Sequence, residues 1–148
     1  MTFRFPHFAL LKFRESIEEK ELLELEHLRQ RALALEAEIE TLNLQQQHEQ
    51  KRLNESLAAG MTAFEIRCNV ERTQLLATSR RNCELSMADN QRRQVEQKLA
   101  YLKAKVSRQA LVEMRNRKQT EYCKQQDRRE QSVIDDLFGA RSRFGSGH

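Results

Sequence analysis

The sequence predicts an all-α fold: two long helices forming an antiparallel coiled-coil hairpin, the second helix the longer. Three observations predict it. The first is a shortage of turn formers. In 148 residues there are one proline and four glycines, and Gly60 is the only glycine before Gly139. Compact sheet folds break their chain far more often than that. The residues that fill the chain instead, Leu, Glu, Gln, Arg, Lys and Ala, are good helix formers. The second is a run of apolar residues alternating by three and four, Leu25, Leu28, Ala32, Leu35, Ile39 and Leu42. That rhythm keeps one stripe of a helix against a partner helix. The third is a stop signal followed at once by a start signal in the middle of the chain.

The first helix is expected over about 8–58. Its seam weakens at Gln46 and Glu49 and resumes at Leu53 and Leu57. Upstream, Leu10, Phe13 and Ile17 stand about one residue out of step, which implies a phase slip near 18–21. The glutamines at 45–47 loosen the seam towards the turn. The turn is expected at 59–62. Leu57-Ala58-Ala59-Gly60 ends a helix with glycine in the left-handed position. Thr62 and Glu65 then have the spacing of a capping box, with Met61 and Ile66 at the staple positions around it. A single helix running through an isolated glycine is the plain alternative.

The second helix is expected over about 63–138. Leu76, Cys83, Met87, Val95, Leu99, Leu102, Val106 and Ala110 sit at helical spacing, and Met114, Tyr122, Val133 and Leu137 continue more sparsely. A helix this long spans about 110 Å and needs something to lie against. Charge supports the fold-back. Residues 15–40 carry nine acids and three bases, and a turn at Gly60 sets them opposite 81–106, which carry six bases and three acids. A parallel pairing of two copies sets the acidic stretch against itself. The same pairing brings the two chain ends to one basic pole and lets residues from about 114 overhang. Residues 1–138 read as one domain and 139–148 as a disordered tail.

Function classes narrow by elimination. The formal net charge is +4, mild for a nucleic-acid binder. No apolar run is long enough to span a membrane, and the charge-broken N-terminus does not read as a secretory signal. Three separated cysteines and four scattered histidines have no metal-ligand or disulfide spacing. That usage fits the cytoplasm. No phosphate-binding loop, nucleophile elbow or other catalytic pattern occurs. We expect no enzyme and no cofactor.

Four segments carry a resemblance: the opening FRF…ALLKFRESIEEKE, the tip AAGMTAFEI, the stretch LVEMRNRKQTEYCKQQDRREQ and the close QSVIDDLFGAR. Together they resemble the flagellar FliJ family of the type III export apparatus over nearly the whole chain. The resemblance implies a stalk-like coiled coil whose paired ends bind the hexameric export ATPase and couple it to the export gate protein. It also implies contact with substrate chaperones and a peripheral place at the inner-membrane export apparatus. Carried onto this sequence, the ATPase-facing residues are Phe5, Phe8, Phe13, Arg14, Arg128, Arg129, Asp136, Leu137 and Phe138. The gate-facing row is Arg72, Leu76, Ser79 and Cys83, with Arg72 where the family's pattern is apolar. Gly60, Thr62 and Glu65 make the turn. Phe8 and Phe13 have a plainer reading as the end of the seam, and Arg14 as a solvated charge. Rival functions are a virulence-type secretion stalk, a homodimeric scaffold and an RNA-binding helical protein.

Overall fold

The computed structural model describes residues 2–145. Helix α1 spans Phe8–Ala59 and helix α2 spans Ala63–Gly145, with no strand among the described residues. The two helices pack on each other as a hairpin, the second longer than the first. Pro6, with its fixed φ, precedes α1, and the Leu11 N–H opens the helical ladder by donating to the His7 carbonyl at 2.9 Å.

The turn is built as its residues require. Gly60 has φ +91°, a conformation that a β-carbon disfavours, and its N–H donates to the Leu57 carbonyl at 3.3 Å. That bond is one half of a Schellman closure. Thr62 then caps α2. The Glu65 N–H donates to Thr62 Oγ1 at 3.3 Å, and the Thr62 N–H donates to Glu65 Oε2 at 3.4 Å. Both halves of the capping box are present, so two otherwise orphaned donors are satisfied.

The chain divides into two compact units, residues 19–102 and residues 1–18 with 103–148. In the unit of residues 19–102, the tip-joined unit, α1 turns inward the positions that the rhythm predicts. Leu25 and Leu35 are buried, and Leu28, Ala32, Ile39, Leu42 and Leu53 are half-buried. Near the turn the inward residue is Ser56, while Leu57 is exposed, because three residues after Leu53 is the in-phase step.

Along α2 the expected stripe holds at Leu76, Cys83 and Met87 and then fails. Val95, Leu99 and Leu102 are exposed, and the inward positions are Asn90, Gln94, Gln97 and Tyr101. Hydrogen bonds explain this rotation. Asn90 Nδ2 donates to the Leu28 carbonyl at 3.0 Å, and Gln94 Nε2 donates to Asn90 Oδ1 at 2.6 Å. Gln97 Nε2 donates to the Glu21 carbonyl at 2.9 Å and also to its carboxylate. Closer to the turn, Arg80 reaches Gln46 and Arg72 reaches Glu49, both at 3.3 Å.

In the other unit, the terminal unit, the buried residue of α1 is Leu11 and not its out-of-step neighbours Leu10 and Phe13, which are exposed. Arg14 and Glu18 follow at half-buried positions, and Arg108 pairs with Glu18. The inward positions of α1 thus keep one phase, and the slip expected near 18–21 is absent. Two heptads separate Leu11 from Leu25, so the leucines set the phase while polar residues fill it. Val106, Ala110, Met114, Val133 and Leu137 are exposed on α2.

Two further corrections concern the ends. The non-helical residues before α1 reach farther along α2 than expected: the Phe3 ring lies 5.6 Å from Tyr122, and Phe5 is buried. Half-buried positions on α2 therefore continue to Gln126, and the bare stretch begins after it and not at 114. Helix α2 also runs on through Gly139 to Gly145, so 139–145 are helical and not a coil tail. Residues 146–148 lie outside the described part.

Candidate functional site

The residues that the sequence assigns to a docking end all lie in the terminal unit, but they are not equivalent. Phe5 is buried, and its ring meets His7 edge-on at 5.7 Å. It is a packing residue. Arg14 occupies a half-buried inward position. Phe8 and Phe13 are exposed, and Lys12 Nζ lies 5.5 Å from the Phe8 ring centre while also pairing with Glu15 at 3.3 Å. A cation over an aromatic face orients that ring at a small energetic gain.

On α2, Arg128, Arg129 and Asp136 are exposed, and Leu137 and Phe138 are 63% and 67% exposed. Val133, Ile134 and Phe144 are exposed too. Ile134, Leu137, Phe138 and Arg141 surround a shallow depression of about 310 Å³. The neighbouring Asp135 accepts a hydrogen bond from Gln131 Nε2 at 2.9 Å, one turn back. This segment is an amphipathic helical turn with no covering element, the form in which a helix offers anchors to a partner.

The structure does not gather these residues into one cluster. The Phe3 ring lies beside Tyr122, and Leu137 is roughly 22 Å further along α2 at the usual helical rise. The residues assigned to that end form two surfaces on one unit: an aromatic lead packed against α2, and a bare apolar turn beyond it. Sequence reasoning missed Ile134, Arg141 and Phe144. The three-four spacing of apolar residues over 133–144 was the available signal, masked by Gly139 inside it.

The row assigned to the gate lies in the tip-joined unit and divides evenly, Leu76 and Cys83 turned inward and Arg72 and Ser79 outward. Leu76 is half-buried and Cys83 is buried. The Cys83 thiol is pushed above its ordinary pKa, first by desolvation and then by its hydrogen bond to Glu38 and that carboxylate's charge, with Arg31 opposing. Arg72 spends its guanidinium on Glu49. Ser79 is exposed. Among the described residues there is no group of three or more His, Cys, Asp or Glu able to hold a metal ion, and no helix is long and apolar enough to cross a membrane.

No curated relative and no solved structure matches the chain. The family described as flagellar FliJ protein matches residues 7–145. That span takes in both helices, the glycine turn between them and the amphipathic end of α2, and the chain therefore belongs to the flagellar FliJ protein family.

Proposed function

We propose that this chain, a component of the flagellar type III export apparatus through its family, is a stalk-like ligand of the hexameric export ATPase. The family is one of stalk proteins and not of enzymes, so the role is mechanical and organisational. Binding runs through the terminal unit. Leu137 and Phe138 act as apolar anchors on the bare end of α2, with Arg128 and Arg129 on the preceding turns meeting acidic groups of the ring. Exposed Phe8 and Phe13 add a second contact. Phe5 and Arg14 support this surface from within and do not touch the partner. Coupling to the export gate, contact with substrate chaperones and a peripheral position at the membrane complete the reading. In the gate row, Ser79 and the outer edge of Arg72 are the members available at the surface.

The observation that carries this reading is the pair of large apolar side chains left uncovered on an ordered helical end, where a soluble helix normally places polar ones. The test is ATPase stimulation by the full chain against Leu137→Ala/Phe138→Ala. Both side chains are exposed, so the variant is expected to keep its helical circular dichroism and to melt as before. Stimulation of the cognate hexamer should fall by about tenfold or more, the equivalent of losing one to two buried anchors. Stimulation that survives unchanged removes this end as the ATPase contact.

A further inference from the structure

The bare end of α2 carries a charge at each end of its apolar face. That face reads Glu130, Val133, Ile134, Leu137, Phe138 and Arg141, in steps of three and one that keep all six on one side of a helix. Its four apolar members are between 44% and 67% exposed. Arg141 shares a depression with Ile134, Leu137 and Phe138, which fixes it on that side. Glu130 stands at the other end, one turn before Ile134. Both charged side chains are exposed, and neither has an ion pair among the described residues.

The face is thus acidic at one end, apolar in the middle and basic at the other. A two-fold axis between Asp135 and Asp136 turns that order onto itself. Ile134 falls opposite Leu137 of a second copy, Val133 opposite its Phe138, and Glu130 opposite its Arg141, each contact occurring twice. A parallel pair sets Glu130 on Glu130 and Arg141 on Arg141, and like charges across an interface cost affinity. Asp135 and Asp136 themselves stand roughly 130° round the helix from the middle of the face, outside the contact. The extent of uncovered helix selects the same axis. The bare stretch begins after Gln126 and runs to the end of the helix at Gly145. The axis lies within a residue of its middle. An antiparallel copy centred there covers the bare stretch and stops short of the Phe3–Tyr122 contact. We propose that the end of α2 is a self-association surface, pairing antiparallel with the same segment of a second copy. On the reading of Leu137 and Phe138 as ATPase anchors, the pair keeps those anchors covered, and the ring takes up this end only after the pair separates. The test needs no ATPase, so its failure leaves that reading standing.

The test is sedimentation of the full chain up to about 100 μM, where an interface of a few apolar side chains is populated. The wild type should pass from monomer to dimer as concentration rises. Leu137→Ala/Phe138→Ala should weaken the association at least about tenfold. Glu130→Arg makes both ends of the face basic and Arg141→Glu makes both acidic, so each variant alone should pair at least about tenfold more weakly. Their equimolar mixture should associate as the wild type does, because each end then meets its opposite. All four positions are exposed, so helical circular dichroism should stay the same in every variant. A chain that is monomeric throughout the range overturns the proposal. So does self-association that Leu137→Ala/Phe138→Ala leaves intact, which gives the dimer to another face. A mixture of the two charge variants that pairs no better than either alone removes the antiparallel register and overturns it as well.

Discussion

Two stretches of α2 within the tip-joined unit solve the same packing problem in opposite ways. Around Leu76, Cys83 and Met87 the apolar side chains face α1. From Asn90 to Gln97 the amides face α1, and Val95 and Leu99 face out. Sequence spacing is helical in both. The difference shows that an apolar stripe marks a face in need of a partner without saying which partner. In the first stretch that partner is α1, and burial supplies the stability. In the second, amides bonded to Leu28 and Glu21 hold α2 at one rotation, the use to which buried polar groups in coiled coils are best suited. The apolar face stays exposed.

The sharpest way to break this comparison is a pair of leucine truncations. Leu35, 2% exposed, should cost about 2–5 kcal/mol when cut to alanine, and Leu99→Ala no more than about 0.5 kcal/mol, by urea denaturation. Equal costs mean that α2 is rotated differently in solution. A smaller effect separates register from stability. Asn90→Leu should leave the chain equally stable or more stable by about 1 kcal/mol, because a leucine at an inward position gains burial where the amide only exchanged hydrogen bonds with water. A loss of stability would show that the Asn90 bonds stabilise the hairpin outright.

The smallest effect concerns thiol reactivity. Cys83 is buried with its pKa raised, whereas Cys68 and Cys123 are exposed. Alkylation near neutral pH should reach Cys68 and Cys123 first and Cys83 last, since the thiolate is the nucleophile. Glu38→Gln removes the carboxylate charge and should narrow the gap. The sign for stability follows: a raised thiol pKa favours the protonated folded form. Its contribution is complete below the ordinary thiol range and is lost as pH rises through the folded value. Equal labelling of all three cysteines means that Cys83 does not face Glu38.

Much of the fold was legible because its signals are local. The turn depends on Gly60 tolerating positive φ and on Thr62 and Glu65 reaching each other's backbone N–H groups, and neighbours in sequence settle both. The α1 seam from Leu25 to Leu42 was legible for the same reason, since spacing alone makes a stripe. The family resemblance was legible too, because it rests on strings of residues.

Other features depended on which face meets which. Leu10 and Phe13 are more periodic to the eye than Leu11, yet Leu11 is the residue in phase with Leu25. Val95 and Leu99 match a seam as well as Leu76 does, and only the amide contacts with α1 turn them outward. Phe5 reads like an exposed aromatic and is buried. The helical run through Gly139 to Gly145 was hidden because one glycine costs a helix only about 1 kcal/mol, less than its turn-forming reputation suggests. The residues alone determined the helices, the fold-back and the charge of each stretch, since those follow from propensity, capping and spacing. Tertiary structure alone decided the rotation of α2 and which apolar stripe remains open, because that choice is a competition between faces of comparable hydrophobicity, settled by long-range hydrogen bonds.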